Sequence, residues 1–385
     1  MSTGYRRLLE PPATSFFLFG VRGTGKSTWA KEKLKGAVHF DLLNEQLHQE
    51  WLVNPSLLAL ELASRGPESF VVIDEVQRIP ALLNEVHRLI EGRKLRFALL
   101  GSSARKLRVA GINLLAGRAL RKAMYPLTPH EMGKDFDLAR TLSLGSLPLV
   151  VSAPDPRATL ESYVHLYIRE EIQAEAAVRN LPGFVRFLPV AALCHAQVVN
   201  ISGLARDCGV ARTTVEGYVE ILEGTLIAQR LPAYEARLRV RERKHPKLYW
   251  VDPGVVRAAK RQLGPVSIEE RGPLFEGLVL SLLRAHAEIR HLFDEIFYWS
   301  TPAPGRLEVD FLLRRDNELL AIEVKSADRF QMGMAGGLKA IAELPRVARR
   351  ILVYTGERSL KTDDGIEIWP FSRLDRELAQ GTLWP

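Results

Sequence analysis

The stretch Gly20–Ser27, GVRGTGKS, constrains the fold more than any other part of the chain. It matches the phosphate-loop pattern G-x-x-x-x-G-K-[ST] at every fixed position. The apolar run Phe16–Phe19 precedes it and predicts a buried strand, and Thr28–Lys35 after it predicts a helix. The glycines let successive backbone N–H groups point at phosphate oxygens beside the positive end of the new helix. A chance match in a glycine-rich turn is the alternative, and the flanking strand and helix argue against it.

The phosphate-loop pattern predicts which side chains of the loop bind the nucleotide. Lys26 is expected to reach the β- and γ-phosphates of a nucleoside triphosphate, and the Ser27 hydroxyl to ligate Mg²⁺. ATP and Mg²⁺ are therefore the predicted ligands. The predicted nucleotide-binding residues in and beside the loop are Gly20, Arg22, Gly23, Thr24, Gly25, Lys26, Ser27 and Thr28.

A second part of the same site is predicted at Phe70–Glu75. Four apolar residues read as a fully buried strand of a parallel sheet, and two carboxylates stand at its C-terminal end. Open α/β sheets place ligands at that end of their strands. Asp74 suits the Mg²⁺ shell through water, and Glu75 suits polarisation of the water that attacks the γ-phosphate. A strand ending in two acids is weak evidence alone, but it is strong downstream of a complete phosphate loop.

Composition sets the broad class of the protein. A length of 385 residues predicts two or three domains. No apolar run reaches membrane-spanning length and the N-terminus lacks an apolar signal core, so a cytoplasmic protein without membrane contact is expected. The two cysteines, Cys194 and Cys208, form neither a disulfide framework nor a CxxC metal site and are expected to be buried thiols. The net charge of +8 favours a polyanionic partner.

Alternating strands and helices between residue 16 and about residue 150 predict a parallel α/β nucleotide-binding domain. The fourth strand ends in Ser102 and Ser103, whose hydroxyls are candidates for sensing the γ-phosphate or the attacking water, or else belong to an ordinary turn. Arg118 follows that region and is either a solvated surface charge or an arginine that a neighbouring subunit's ATP site receives. Arg105 is a second candidate for that donated arginine. The predicted strands are Phe16–Phe19, Val38–Phe40, Phe70–Ile73 and Arg96–Leu100.

The middle of the chain predicts a nucleic-acid-binding module. Apolar residues at helical spacing on both sides of Gly209 are typical of a helix-turn-helix, although a helical hairpin that only packs on another domain fits as well. Residues 226–251 would form the wing. Basic residues alternate along it, and an extended strand would place them on one face, where they could follow a phosphate backbone or simply face solvent. The predicted DNA contacts are Arg237, Arg239, Arg241, Arg243, Lys244 and Lys247.

The C-terminal part of the sequence predicts a β-hairpin that carries candidate metal-binding and catalytic side chains. Strands at residues 308–313 and 319–325 are joined by a short polar turn, which brings Asp310 near Glu323, and Lys325 shares a face with Glu323. Two carboxylates and a lysine at one point are the arrangement of the PD-(D/E)xK nucleases: Asp310 and Glu323 would hold a metal, Lys325 would activate water, and Glu276 would complete the shell. An ordinary cross-strand pair, or a nuclease-like fold that no longer cuts, remains open.

These motifs occur in an order that resembles the prokaryotic AAA-type ATPases carrying a C-terminal DUF4143 domain. The series includes the phosphate loop, VVIDEVQ at 71–77, LLGSS at 99–103, KLYWVD at 247–252 and IEVKS at 322–326. The resemblance implies ATPase activity and a three-part α/β architecture. We expect a P-loop AAA+ parallel-sheet domain (residues 1–155), a helical linker or lid (156–195), a winged-helix module (196–255) and a restriction-endonuclease-like domain (256–385). The strand that ends in Ser102 and Ser103 carries Ser where AAA+ proteins usually carry Asn, which leaves its sensing role open.

Together these features predict a Mg²⁺-dependent ATPase that couples hydrolysis to binding or remodelling of duplex or branched DNA, in the manner of a helicase or translocase. By analogy with AAA+ proteins it would assemble as a homo-oligomer, with a hexameric ring as one such form. The rival hypothesis is a regulatory or defence ATPase whose C-terminal domains bind protein, or an ATP-controlled DNA nuclease.

Overall fold

The computed structural model describes residues 4–385 except 104–106, 108–114, 116, 168–180, 236–244, 302–304 and 306. The chain divides into two compact units. The N-terminal unit comprises Arg6–Tyr125 together with the short segment Ile221–Ile227. The C-terminal unit comprises Pro126–Glu220 and Ala228–Pro385, with the N-terminal end of the chain.

The described part of the N-terminal unit is built on a five-stranded parallel sheet in the order β2-β3-β4-β1-β5. Its strands are β1 (Phe16–Phe19), β2 (Val38–Asp41), β3 (Phe70–Asp74), β4 (Arg96–Gly101) and β5 (Leu120–Ala123). Its helices are α1 (Lys26–Lys33), α2 (Glu45–Val53), α3 (Leu57–Glu61) and α4 (Leu82–Arg93), with a 3-10 turn at Val76–Arg78. The four predicted strands and the predicted parallel α/β sheet are confirmed.

The core of the N-terminal unit explains why β1, β3 and β4 read as apolar runs. Every residue of β1 and most residues of β3 and β4 are buried, whereas β2 and β5 are partly exposed. On one side, residues from β1, β3 and β4 pack with Trp51 of α2 and with the apolar face of α4. Burial on both faces is what removes the alternation of polar and apolar residues from these strands.

The C-terminal unit begins with short helices and continues into two longer ones. These are α5 (Pro129–Met132), α6 (Leu138–Leu144), α7 (Pro148–Val151), α8 (Pro156–Ser162), α9 (Leu181–Leu193), α10 (Ile201–Cys208) and α11 (Arg212–Gly224), whose last residues belong to the N-terminal unit. A 3-10 turn spans Gly133–Asp135 and a π-helical turn spans Tyr163–Tyr167. The two helices predicted around Gly209 are confirmed as α10 and α11, and Gly209 has a left-handed backbone at φ 63°.

A small antiparallel sheet follows, in the order β6-β8-β7, from β6 (Gln197–Val198), β7 (Ala228–Leu231) and β8 (Lys247–Trp250). The chain then forms α12 (Pro253–Ala259) and the long helix α13 (Ile268–Arg290). The predicted helix around Glu276 is thereby confirmed, since Glu276 lies in the middle of α13.

The C-terminal residues form a mixed six-stranded sheet in the order β13-β14-β12-β11-β10-β9. Its strands are β9 (Glu295–Ser300), β10 (Glu308–Arg315), β11 (Glu318–Lys325), β12 (Val347–Tyr354), β13 (Leu360–Lys361) and β14 (Glu367–Pro370). Beside it lie α14 (Gly336–Ala340), α15 (Phe371–Gln380) and 3-10 turns at Met332–Ala335 and Ile341–Glu343. The predicted hairpin is confirmed as β10 and β11, which pair with Phe311 opposite Ile322.

In the described parts of the chain, none of the helices combines the length and apolar character needed to cross a membrane. Cys208 is buried and Cys194 is partly buried, and both are free thiols. Burial raises the pKa of each thiol above its usual value.

Candidate functional site

The phosphate loop leaves the carboxyl end of β1 and turns into the first residue of α1. Gly23 and Gly25 have φ values of 82° and 84°, a left-handed backbone that favours glycine. Gly20 is needed for a different reason, because a Cβ on it would lie 2.6 Å from the Met124 carbonyl oxygen. Gly25 caps α1 without a side-chain hydrogen bond, so the first N–H groups of the helix remain available to an anion.

Lys26 and Ser27 occupy the positions that the pattern predicted. Lys26 is buried, and its Nζ donates to the carbonyl oxygen of Gly20 at 2.6 Å and to that of Val21 at 3.3 Å. The Ser27 hydroxyl donates to Oδ2 of Asp74, which ends β3. A hydroxyl and a carboxylate at one point are the oxygen ligands that Mg²⁺ takes beside phosphates, so this pair fits a magnesium ion bound with a nucleotide.

Glu75 stands next to this pair in an uncommon backbone conformation. Its φ of 57° and ψ of 40° are left-handed, which costs a non-glycine residue roughly 1–2 kcal/mol. Its backbone N–H donates to Oδ1 of Asp74 at 3.0 Å. This backbone conformation directs the chain after β3 into the 3-10 turn that carries Gln77, whose amide donates to the Glu75 carboxylate.

Gln77 connects Glu75 to the end of the neighbouring strand. Its amide nitrogen donates to the Glu75 carboxylate and, at 2.9 Å, to the Ser102 hydroxyl. Gln77 is 5 % exposed, and Ser102 and Ser103 are buried. Gly101 provides the space, since a Cβ there would lie 2.5 Å from Oε1 of Gln77. The sheet order places β4 between β1 and β3, and this brings Ser102 next to the two acids.

Gln77 was missed by the sequence analysis. The signal available in the sequence was its position three residues after Asp74, directly beyond the strand that carries the two acids. A buried amide that contacts both the predicted water-polarising carboxylate and a predicted sensing hydroxyl is a positioning residue, because it fixes the carboxylate through a hydrogen bond.

Arg118 lies elsewhere in the same unit. It precedes β5, and it forms an ion pair with Glu91 near the C-terminal end of α4. The Arg118 hydrogen bond and charge lower the pKa of the Glu91 carboxyl. Both residues lie near the amino ends of the strands, whereas the phosphate loop lies at the carboxyl ends. A role for Arg118 in the site of a second subunit stays a prediction, and Arg105 lies outside the described residues.

The C-terminal unit contains a second cluster, the acidic centre, defined by Glu276, Glu308, Asp310 and Glu323. Glu276 and Asp310 meet around the Lys247 ammonium, whose Nζ lies 3.0 Å from Oε1 of Glu276 and 3.6 Å from Oδ1 of Asp310. The same ammonium forms an ion pair with Glu308. Tyr249 donates its hydroxyl to Glu276, and the backbone N–H of Val324 donates to Asp310 at 2.8 Å.

Burial and mutual repulsion control the charges in this centre. Burial, followed by the charge of Asp310, raises the pKa of Glu276 to about 7 and that of Glu323 to about 8. Burial lowers the pKa of Lys247, but the charges of Glu276, Asp310 and Glu308 outweigh it and raise the pKa above its usual value. Lys325 pairs with Glu323, whose Oε2 is buried without a hydrogen-bond partner among the described residues.

The prediction that Lys247 contacts DNA is wrong, because its side chain is 5 % exposed and is surrounded by carboxylates. Asp310, Glu323 and Glu276 do lie in one cluster, as expected. In the parts of the chain that the structure describes, however, no group of three or more His, Cys, Asp and Glu side chains could hold a metal ion. The geometry therefore does not support the predicted nuclease metal. The other predicted DNA contacts, Arg237, Arg239, Arg241, Arg243 and Lys244, lie outside the described residues.

Family models of known proteins match three successive parts of the chain. The chain matches family models described as "AAA domain" over residues 13–133 and "Domain of unknown function (DUF4143)" over residues 271–374. The chain carries an AAA domain followed by a C-terminal DUF4143 domain. This confirms the resemblance drawn from the sequence. A third model, "Domain of unknown function (DUF8612)", matches the intervening residues 135–265.

Relatives extend over most of this AAA–DUF4143 chain. An uncharacterised protein of Mycobacterium tuberculosis is 27% identical over 371 residues, covering 93% of this chain and 80% of the relative. A RuvB structure from Thermotoga maritima has 16% identity and a TM-score of 0.28, covering 57% of this chain and 82% of RuvB. An ORC1 structure from Aeropyrum pernix, solved with DNA, has 16% identity and a TM-score of 0.25, covering 66% of this chain and 87% of ORC1. Such TM-scores are too low to carry conclusions about function.

Proposed function

We propose that the protein is a Mg²⁺-dependent ATPase that uses ATP hydrolysis to bind or remodel DNA. The observation that carries the ATPase part is the assembly of Ser27, Asp74 and Glu75 at the carboxyl edge of one sheet, with Glu75 fixed by Gln77. Each of these side chains has a distinct task in phosphoryl transfer to water, and no other cluster in the described part of the chain combines them with a phosphate loop.

The chemistry follows from the positions of the side chains. The loop N–H groups and Lys26 would bind the β- and γ-phosphates, and Ser27 and Asp74 would hold the ion. When bound, Mg²⁺ neutralises charge on these phosphates. Glu75 would orient a water and accept its proton, and Gln77, whose amide also donates to Ser102, would fix the carboxylate through a hydrogen bond.

One feature of the C-terminal unit and one of the whole chain support DNA as the partner. In α10 and α11 the apolar residues Leu204 and Val215 are buried, whereas Arg212 and Thr213 at the start of α11 are exposed. In a helix-turn-helix the first residues of the second helix reach base edges, so the exposed start of α11 is the part that would contact DNA. The net charge of +8 adds an attraction for phosphates that is independent of sequence. The winged-helix assignment is part of this proposal.

The DNA proposal predicts a salt-dependent affinity that comes from the arginine stripe, Arg237, Arg239, Arg241 and Arg243. Replacing all four by Ala should weaken binding to every DNA sequence alike, because interactions with phosphate carry no base information. The slope of log affinity against log salt should fall by about one unit for each arginine that neutralises a phosphate. Fluorescence anisotropy on duplex, single-stranded and branched DNA at several salt concentrations measures both quantities.

A matched control replaces four basic residues elsewhere, Arg65, Arg88, Lys94 and Lys134, by Ala. If the stripe variant bound DNA with unchanged affinity and slope, the stripe would face solvent or protein. The ATPase rate with and without each DNA then tests the coupling itself. A rate that no DNA alters would favour the rival hypothesis, a regulatory ATPase whose C-terminal domains bind protein.

We expect the active form to be a homo-oligomer in which Arg118 acts on the nucleotide of the next subunit, as in a ring. Arg118→Ala should then bind ATP normally and lose most of its hydrolysis, since an arginine of this kind is worth about 10³–10⁵ in rate. Mixing the Arg118→Ala and Lys26→Ala proteins should restore ATP hydrolysis. In a mixed oligomer, the intact phosphate loop of an Arg118→Ala subunit can lie beside the intact Arg118 of a Lys26→Ala subunit. A monomeric mass in ATP with no recovery at any mixing ratio would remove this hypothesis.

A further inference from the structure

The centre of the acidic cluster is occupied by a side chain of the protein itself. Lys247 begins β8, where it pairs through its backbone with Val198 of β6 and Leu231 of β7. Its side chain leaves this small sheet and extends to carboxylates on α13 and β10. The ammonium lies 3.0 Å from Glu276 and 3.6 Å from Asp310, and it also pairs with Glu308. Lys247 thus contacts three acids that come from two other elements.

The Lys247 ammonium lies where a bridging cation would have to lie. Glu276 and Asp310 both direct an oxygen at Nζ of Lys247, and a divalent ion bound by the same two oxygens would be within a few ångströms of that nitrogen. Like charges at such a distance repel strongly in a site removed from water. The side chains of Lys247, Asp310 and Glu276 are 5, 10 and 16 % exposed, so solvent screens this repulsion poorly.

The carboxylates of the centre have further protein partners, whereas Oε2 of Glu323 is buried without a hydrogen-bond partner among the described residues. Oδ2 of Asp310 accepts the backbone N–H of Val324 at 2.8 Å, and Glu276 also accepts the Tyr249 hydroxyl. Glu323 pairs with Lys325. Oδ2 of Asp310 therefore has a backbone donor and Oδ1 faces the Lys247 ammonium at 3.6 Å, so a metal bound at Oδ1 would have to displace a buried lysine.

We propose that the acidic centre is a metal-free site in which the Lys247 ammonium takes the place of the divalent cation of a PD-(D/E)xK nuclease. The ammonium satisfies Glu276, Glu308 and Asp310, and it holds β8 against α13 and β10. The C-terminal domain then has a nuclease-like arrangement of carboxylates but does not cut nucleic acid by a metal-dependent route. This proposal is independent of whether the N-terminal unit acts on DNA.

Mn²⁺ binding to the full-length, nucleotide-free protein tests the proposal, with free Mn²⁺ counted by electron paramagnetic resonance. Wild type and Asp310→Asn should bind equal numbers of Mn²⁺, since Asp310 holds no metal. Lys247→Met keeps the length of the side chain and removes its charge. It should bind about one more Mn²⁺ per chain than wild type at roughly millimolar Mn²⁺, and adding Asp310→Asn to it should abolish the gain.

Lys325→Met is the matched control, because it removes a lysine from the edge of the same cluster and leaves Lys247 in place; no gain is expected. Two outcomes would overturn the proposal. One is a Mn²⁺ site in wild type that Asp310→Asn removes. The other is a Lys247→Met protein that is folded by circular dichroism and gains no Mn²⁺. If Lys247→Met does not fold, the comparison of wild type with Asp310→Asn decides alone.

Discussion

Glu75→Gln should bind ATP with the affinity of wild type and hydrolyse it about 10²–10⁴-fold more slowly, the usual contribution of a general base. The amide has the shape of the carboxylate but neither accepts a proton nor orients water as strongly. The left-handed backbone at residue 75 costs Gln about as much free energy as it costs Glu, so the fold should be unaffected. Single-turnover hydrolysis and nucleotide titration measure the two quantities separately, and a wild-type rate in this variant would reject the role of Glu75.

Gln77→Leu is the companion variant, because it removes the amide that contacts Glu75 and Ser102 while keeping a side chain of similar size. A hydrogen bond to a charged group is worth about 1.5–3 kcal/mol, so kcat should fall roughly ten- to a hundredfold. The KM for ATP should be unchanged, since Gln77 does not contact the phosphate loop in the described structure. Gln77→Asn should recover part of the rate if the amide acts by positioning. A kcat equal to wild type in Gln77→Leu would assign Gln77 to packing.

Lys26→Ala should bind ATP more weakly than wild type, and not merely hydrolyse it more slowly. Lys26 supplies the positive charge at the centre of the phosphate loop, and removing one partner of a buried charge pair costs about 2–5 kcal/mol, or roughly thirty- to several-thousandfold in the dissociation constant. Titration with a fluorescent ATP analogue measures this loss. Lys31→Ala removes an exposed charge from the same helix and should bind nucleotide as wild type does.

The Lys26 side chain also donates to the carbonyl oxygens of Gly20 and Val21, so the variant must be shown to keep the loop folded. An unchanged far-ultraviolet circular dichroism spectrum and a melting temperature close to that of Lys31→Ala would establish this. Unchanged ATP affinity in a folded Lys26→Ala protein would mean that the loop N–H groups alone bind the phosphates, and the proposed division of roles would fail.

Local sequence determined most of the N-terminal unit. An apolar run before a phosphate loop can be buried on both faces only as an inner strand, and the fixed spacing of Gly23, Gly25 and Lys26 specifies the turn into α1. The hairpin of β10 and β11 was predictable for the same reason, since two strand-like runs separated by a short polar turn can pair in few ways.

In the acidic centre, the clustering of the carboxylates was predictable from local sequence, but the burial of Lys247 was not. Its carboxylates were predicted to cluster because strand pairing brings Asp310 toward Glu323, and the structure contains that cluster. Lys247 was assigned to DNA because it continues a basic run in the sequence. Its burial depends on how β8 packs against α13 and β10, elements that follow it at a distance along the chain, and a run of basic residues carries no information about that packing.

The sequence by itself determined the phosphate loop, the Asp74–Glu75 strand end and the parallel sheet, because each depends on patterns within a few consecutive residues. Only the tertiary structure decided which side chains act on those groups. Gln77 reaches Ser102 because β4 lies between β1 and β3, and Lys247 enters the acidic centre because β8 lies beside α13. Both interactions join residues far apart in the chain, and packing selects them among many that the same local patterns allow.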